Sequence, residues 1–342
     1  PISVEALVSG MNGTIRKVSV TGPIGKTVVC EYGVIENTDG KTGEKTEEKT
    51  AVIEIAKAAG LTLLSEEERN PLYTTTYGVG EVIKDAVRNG CRKFIVGIGG
   101  SATNDGGAGM LQALGFGLLK ENGEQIPIGA RGLEELAEIT DDNVIPELAE
   151  CKFKIACDVT NVLCGETGAS AVYGPQKGAD EEMTERLDRL LFSYASLVKK
   201  KIPKADSMYP GTGAAGGLGF AFLTFMDAQL ESGIQIVIKE TGLEQEIAKA
   251  DLVITGEGRM DGQTAMGKAP IGIAKIAKKY GKPVIAFAGA AARDAGACNE
   301  QGIDAFFPIL REAVSLEAAM KRENAEANME AAVEQAYRLW RL

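Results

Sequence analysis

The sequence predicts an α/β fold built as two domains. Length is the first reason, since 342 residues exceed one average domain. The second is a recurring unit in which an apolar run, read as a buried strand, enters a polar or glycine-rich loop and then a helix, as at Lys93–Ile98, Phe153–Asp158 and Asp251–Ile254. Such units build parallel sheets whose ligands sit beyond the carboxyl ends of the strands. The third is an N-terminal stretch of alternating β-prone residues, which reads as a hairpin instead.

Composition narrows the chemistry. Hydrophobic residues at 44% and charged residues at 25% are those of an ordinary soluble protein. A net charge of −11 argues against a broad nucleic-acid footprint or a polybasic membrane surface, so an anionic ligand needs local positive charge or Mg²⁺. No apolar run reaches the length of a spanning helix, and Pro1-Ile2-Ser3-Val4-Glu5 has neither region of a signal peptide, so a cytoplasmic location is expected. The six cysteines contain no C-x-x-C pair and read as reduced residues rather than zinc ligands or a disulfide frame. Histidine is absent, which excludes Ser-His-Asp and Cys-His nucleophiles and imidazole acid/base work. Any general base must be a carboxylate, a Lys, a Tyr or a water.

In chain order, Ile15–Val20 and Thr27–Val34 flank the turn Thr21-Gly22-Pro23-Ile24-Gly25 and read as a hairpin. Asn37–Lys49 is polar and reads as an exposed extension of that hairpin, after which Ala51–Ile55 returns as a strand. The hydroxyl cluster Tyr73–Tyr77 precedes a helix that begins at Thr76 or Gly78, carries Val82, Ile83 and Val87 on its apolar side and stops at Asn89-Gly90. Those hydroxyls either touch a ligand or cap and turn the chain.

Lys93–Ile98 runs into Gly99–Gly109, where five glycines let backbone N–H groups approach a ligand and Ser101, Thr103, Asn104 and Asp105 add donors and a metal-capable carboxylate. A capped tight turn is the plainer reading. A helix follows around Met110–Leu114. Asp158, at the end of the third strand, either binds metal or substrate or caps the next loop. Lys177, in the glycine loop Tyr173–Ala179, is either a phosphate contact or a surface residue, and a helix runs from about Glu181 to Lys200. Pro210–Gly219 contains G-x-G-x-x-G but lacks the flanking strand and ribose-binding acid of a dinucleotide site. It is read as opening the apolar helix Phe220–Leu230, through close backbone packing or with an anion at its N-terminus. From Ser315 onward the chain reads as one amphipathic helix with Trp340 against the body.

The densest chemistry lies in Ile254–Pro270, between the strand Asp251–Ile254 and the helix Ile271–Tyr280, with Pro283–Gly289 as the next strand. Glu257, Arg259, Asp261 and Lys268 stand there among hydroxyls and glycines, a mixture suited to polyanions and a metal ion. Gly262–Lys268 has the G-x-x-x-x-G-K spacing of a phosphate-cradling loop, but Ala269 replaces the hydroxyl that would bind Mg²⁺. A phosphate site of another design, using Lys268 and helix-start N–H groups, stays open beside an ordinary polar loop.

Taken together, Gly97–Met110, Gly174-Pro175-Gln176-Lys177-Gly178-Ala179, Gly211–Gly219 and Ile254–Arg259 resemble the bacterial glycerate kinase family, over nearly the whole chain and in consistent order. The resemblance implies ATP- and Mg²⁺-dependent phosphorylation of D-glycerate, usually at the 2-hydroxyl, with 3-phosphoglycerate as the alternative product. It also implies two α/β domains with a cleft between them. The expected division is a Rossmann- or flavodoxin-like parallel-sheet domain, 75–130 plus 245–342, and a smaller mixed-sheet domain, 1–74 plus 131–244.

On this reading Gly99, Gly100, Ser101, Thr103, Asn104 and Lys177 hold the phosphates, and Asp105 or Asp158 binds Mg²⁺. Glu257 or Asp261 orients the hydroxyl, and Arg259 or Lys268 pairs with the glycerate carboxylate or the γ-phosphate. The loops at 99–107 and 255–268 are expected to share one cleft with Asp158. Family members resembling this chain begin with Ala-Pro-Asp-Ser-Phe-Lys-Gly and Asp-Gly-Gly-Glu-Gly-Thr segments, whereas here Pro1-Ile2-Ser3 runs straight into Val4-Glu5-Ala6, so those motifs are expected to be missing from the sequence. The expected partner is the small-molecule substrate, with no nucleic acid and no membrane, and a homodimer is the expected assembly. The rival is a non-catalytic small-acid binding or regulatory protein of the same fold.

Overall fold

A computed structural model describes residues 4–38 and 45–342. Pro1–Ser3 and the tip of the expected hairpin extension, 39–44, lie outside the described residues. The chain forms two compact units, 1–236 and 237–342.

The first unit holds β1 (Thr14–Thr21), β2 (Thr27–Thr38), β3 (Lys45–Glu54), β4 (Cys91–Gly97), β5 (Gly117–Leu119), β6 (Glu138–Thr140), β7 (Lys152–Ala156) and β8 (Asp227–Glu231). Its main sheet has the order β1-β2-β3-β4-β7-β8, while β5 and β6 form a separate ribbon. The hairpin pairs antiparallel from Thr14↔Val34 to Thr21↔Thr27, and β3 joins β2 antiparallel. From β3 onward every neighbour is parallel. Register partners Phe94 and Phe153 stack with ring centroids 4.6 Å apart, and Phe222 packs on Phe153 at 5.7 Å. Each such pair contributes about 0.5–1.5 kcal/mol beyond area burial. These rings hold β4 and β7 side by side and seat the helix Ala214–Phe225.

The second unit carries β9 (Val253–Met260), β10 (Val284–Ala291) and β11 (Ala305–Pro308) in a parallel sheet of order β11-β10-β9. Helix Ala269–Lys279 buries Ile271, Ala274 and Ala277, a spacing of three that keeps them on one face. They join Val284, Ala286 and Ala288 of β10 in this unit's own core.

A parallel-sheet unit and a mixed-sheet unit are therefore both present, the mixed sheet in the larger one. The expected division needs correction. Segment 75–130 folds with 1–236, because β4 is hydrogen-bonded between β3 and β7 and has no partner in the sheet of β9–β11. The helix expected over Phe220–Leu230 ends at Phe225, since Asp227–Glu231 is taken as a fourth parallel strand beside β7. The C-terminal stretch is two helices. Ser315 caps Leu316–Ala319 by accepting from the Ala318 amide, Lys321 is extended, and Arg322–Trp340 follows. Trp340 is 44% exposed rather than packed, and the second helix buries only Ala336, against Phe287 and Ile309. No helix among the described residues is long and apolar enough to cross a membrane.

Candidate active site

In the first unit a cavity of about 360 Å³ opens where β4 and β7 end. Gly97 and Ala156 are register partners at the last rungs of these parallel strands, and the chain leaves both into the cavity wall. This is the crevice position of open α/β sheets. Beyond β4 come Gly99, Gly100 and Ser101; beyond β7 come Cys157 and Asp158. The turn Pro175–Lys177 supplies Lys177, and the start of helix Ala214–Phe225 supplies Ala215.

The loop after β4 is pinned from behind. Leu61 donates its amide to the Gly100 carbonyl at 2.9 Å, and the Ala102 amide donates to Ala59 at 2.8 Å. Gly100 has φ +75°, the left-handed region that glycine enters at little cost. Below the loop lies Asp105, fully buried. Its carboxylate accepts from the Thr76 amide at 2.8 Å, the Thr76 hydroxyl at 2.9 Å, the Gly107 amide at 3.2 Å and the Gly109 amide at 3.3 Å. Burial pushes this carboxyl above the usual range, and those donors pull against it. Asp105 thus stands away from the cavity wall with its oxygens engaged, and the expectation of a metal ligand there is corrected: it is the keystone of the loop. The hydroxyl cluster before it serves the same end, since Thr74 bonds the Ala102 carbonyl at 2.8 Å and Thr76 bonds Asp105.

Thr103 and Asn104, expected at a ligand, are also fully buried. Asn104 donates to Ser170 at 2.9 Å, and Thr103 contributes through its carbonyl. That carbonyl accepts from Lys177 Nζ at 2.7 Å, and Ser101 Oγ accepts from the same nitrogen at 3.0 Å. Lys177 is 2% exposed, so the surface reading of this residue is wrong. Burial lowers its pKa to about 7, against the opposing charge of Asp105. Asp158 is exposed at the cavity rim, with Oδ1 accepting from Ser232 at 2.9 Å and from the Gly233 amide at 3.0 Å.

Of the expected residues, the structure therefore brings together Gly99, Gly100, Ser101, Lys177 and Asp158. The sequence reading missed Cys157, Tyr173 and Ala215. Tyr173 donates to Asn161 at 2.6 Å, and burial raises its phenol and the Cys157 thiol, so both stay protonated near neutral pH. Ala215 takes φ +53°, a strained conformation for a residue with a Cβ, and its place in the cavity wall fits strain held at a functional site. Only the surrounding run of glycines hinted at it.

The second unit has its own polar cluster. Glu257 and Arg259 lie on β9 rather than in a loop, because parallel pairing with β10 continues through Ala290↔Arg259 and Ala291↔Met260. Alternation puts both on the same face of the strand. Thr264 donates its hydroxyl to Glu257 and its amide to Asp261, at 3.1 Å for the latter. Asp261 is the N-cap of the helical turn Gly262–Ala265 in a capping box, and Lys268 Nζ lies 3.8 Å from its Oδ1. The Thr264 amide, with Lys268, holds the Asp261 carboxyl below its usual range. A phosphate-cradling loop over Gly262–Lys268 is excluded, since its first half is this helical turn and the next helix starts at Ala269. Among the described residues no group of three or more acidic or cysteine side chains forms a metal cage.

A family model described as the glycerate kinase family matches residues 3–341. The chain is 47% identical to a glycerate kinase of Halalkalibacterium halodurans, covering 94% of this chain and 82% of that one. It is 46% identical to a glycerate 2-kinase of Escherichia coli, covering 93% and 81%. A crystal structure assigned as glycerate kinase 2 from Salmonella typhimurium LT2 superposes with a TM-score of 0.83 at 46% identity, over 98% of this chain and 85% of the other.

Proposed function

Since the chain belongs to the glycerate kinase family, whose members are phosphotransferases with an alcohol acceptor, we propose that it uses ATP to phosphorylate D-glycerate at the 2-hydroxyl. The observation that carries this reading is the buried Lys177 beside Gly99, Gly100 and Ser101, facing a cavity that also holds the open carboxylate of Asp158. Phosphoryl transfer asks the protein mainly for positioning and for neutralisation of phosphate charge. Backbone N–H groups of Gly99 and Gly100 and the Lys177 nitrogen supply donors for phosphate oxygens. The name of the Escherichia coli relative supports 2-phosphoglycerate as the product.

Asp158 fits Mg²⁺, which takes one or two carboxylates and otherwise keeps water and substrate phosphates. Ser232 and Gly233 fix its Oδ1 and leave Oδ2 for an ion. The ion, when bound, neutralises charge on the phosphates. Glu257 or Asp261 is proposed to orient the substrate hydroxyl, and Arg259 or Lys268 to pair with the glycerate carboxylate or the γ-phosphate. The cytoplasm, where ATP is supplied, is the proposed setting.

The test is incubation of the protein with ATP, Mg²⁺ and D-glycerate, following ADP release and identifying the product by phosphorus NMR. ADP together with 2-phosphoglycerate supports the reading. The 3-phospho product would move the regiochemistry, and glycerate binding without ADP would replace the kinase with a small-acid binding protein.

A further inference from the structure

We propose that an anionic ligand enters the Ser101–Lys177 cavity together with one proton, which Lys177 takes up to become the ligand's counter-ion. The inference rests on the cavity being the ligand site proposed above. Its ground is the hydrogen-bond valence of one nitrogen. Lys177 Nζ donates to two uncharged acceptors, Ser101 Oγ at 3.0 Å and the Thr103 carbonyl at 2.7 Å. A neutral amine has two N–H bonds, so these acceptors use both and leave a lone pair. An ammonium has a third N–H, and Lys177 lines the cavity where an anion would accept it.

The surroundings favour the neutral amine until an anion arrives. Lys177 is 2% exposed and has no carboxylate within ion-pair distance among the described residues. A buried ammonium without such a partner is strongly disfavoured. Asp105, behind the loop, acts on it only through space, and burial leaves the amine titrating near 7. Cys157 and Tyr173, which also line the cavity, are pushed up by burial. Tyr194, whose ring packs on Gly106, is pushed up as well, and at Gly178 the neighbour is the Arg69 backbone. Asp158, on the cavity rim, adds negative charge that opposes an incoming anion. Beyond the neutral N–H donors of Gly99 and Gly100, Lys177 is the wall residue placed to give a carboxylate or phosphate a positive partner by taking up the proton.

Titration calorimetry on the whole protein, in buffers of different ionisation enthalpy, counts the proton. D-Glycerate and inorganic phosphate, titrated separately, distinguish a carboxylate from a phosphate source. At about pH 8, close to one proton should be taken up per anion bound, and affinity should fall up to about tenfold per pH unit above about 7. At about pH 6 the uptake should approach zero. K177M should bind weakly with no uptake, and K177R, whose guanidinium is always charged, should bind without uptake if it folds. Binding of both anions to the wild type at about pH 8 with no proton, no binding of either, or uptake that persists in folded K177M would overturn the proposal. Glycerate-dependent ADP release in the same preparation separates the two readings. Turnover without proton uptake sinks this proposal alone, and proton-coupled binding without turnover sinks the kinase alone.

Discussion

The amide of Gly106 donates to the carbonyl of Gly216 at 2.9 Å, joining the glycine-rich loop after β4 to the glycine run that opens helix Ala214–Phe225. The two segments touch backbone to backbone. A Cβ on Gly216 would stand 2.0 Å from the Thr103 carbonyl oxygen, which is also an acceptor for Lys177, and one on Gly217 would stand 2.8 Å from Gly106 Cα. The G-x-G-x-x-G spacing thus serves packing beside Ala214 and Ala215, which line the cavity.

Gly216→Ala should accordingly destabilise the protein by about 2–4 kcal/mol, combining left-handed strain with a backbone clash. Gly25→Ala is the control, because Gly25 has φ +82° with nothing within 4 Å of a Cβ and should show strain alone, about 1–2 kcal/mol. Urea unfolding midpoints measure both. Equal losses would mean that the interlock contributes nothing.

Asp105→Asn should cost about 3 kcal/mol, because an amide in place of the carboxylate turns one acceptor into a donor facing the Thr76 and glycine donors. Turnover should fall with the loop's order, while the Mg²⁺ concentration needed by the remaining activity stays unchanged. A shifted Mg²⁺ requirement with wild-type stability would return Asp105 to the metal.

Much of this was legible in the sequence, and the exceptions share a physical reason. The hairpin, β4, β7 and the helices Tyr77–Arg88 and Glu181–Lys201 follow from local periodicity and termini, the last with Asp180 as N-cap and lysines in its final turn. Asp105 could not be told from a ligand, because a carboxylate among glycines reads alike whether it meets a metal or the Thr76 amide; only the tertiary partner decides. Lys177 likewise shows nothing of its burial in its own turn, since Ser101 and Thr103 come from a distant loop. β9 outran its apolar residues because pairing with β10 carries Glu257 and Arg259 into the strand. The domain division failed for the same cause: sheet neighbours, not chain order, place β4.

Stability should depend on pH through Lys177. Its folded pKa, about 7, lies below the ordinary 10.5, so between these values the unfolded chain holds a proton that the native one lacks and native stability rises with pH. Below about 7 the cost of the buried charge is fully present. The stability difference between wild type and K177M should change by about 2–3 kcal/mol in favour of wild type from about pH 7 to pH 9. Denaturant titrations at several pH values test this, and a flat difference would mean that Lys177 keeps its ordinary pKa.

Glu257→Gln and Asp261→Asn should lower turnover by about 10²–10⁴ if the residue changed is the general base. Asn is a good N-cap, so Asp261→Asn should keep the turn Gly262–Ala265 and the melting temperature nearly intact. Wild-type turnover in both variants would remove the two carboxylates from the mechanism.

If phosphoryl transfer is organised in the cavity at the ends of β4 and β7, the Asp158→Asn variant should lose it while keeping the fold. The exposed carboxylate bonds only Ser232 and Gly233 among the described residues, so the melting temperature should stay within a degree or so of wild type. Glycerate-dependent ADP release should drop by about 10²–10³, with a higher Mg²⁺ requirement for what remains, as expected when a metal contact is lost from charge stabilisation. An Asp158→Asn protein that turns over at the wild-type rate with the wild-type Mg²⁺ dependence would mean that phosphoryl transfer is not organised in this cavity.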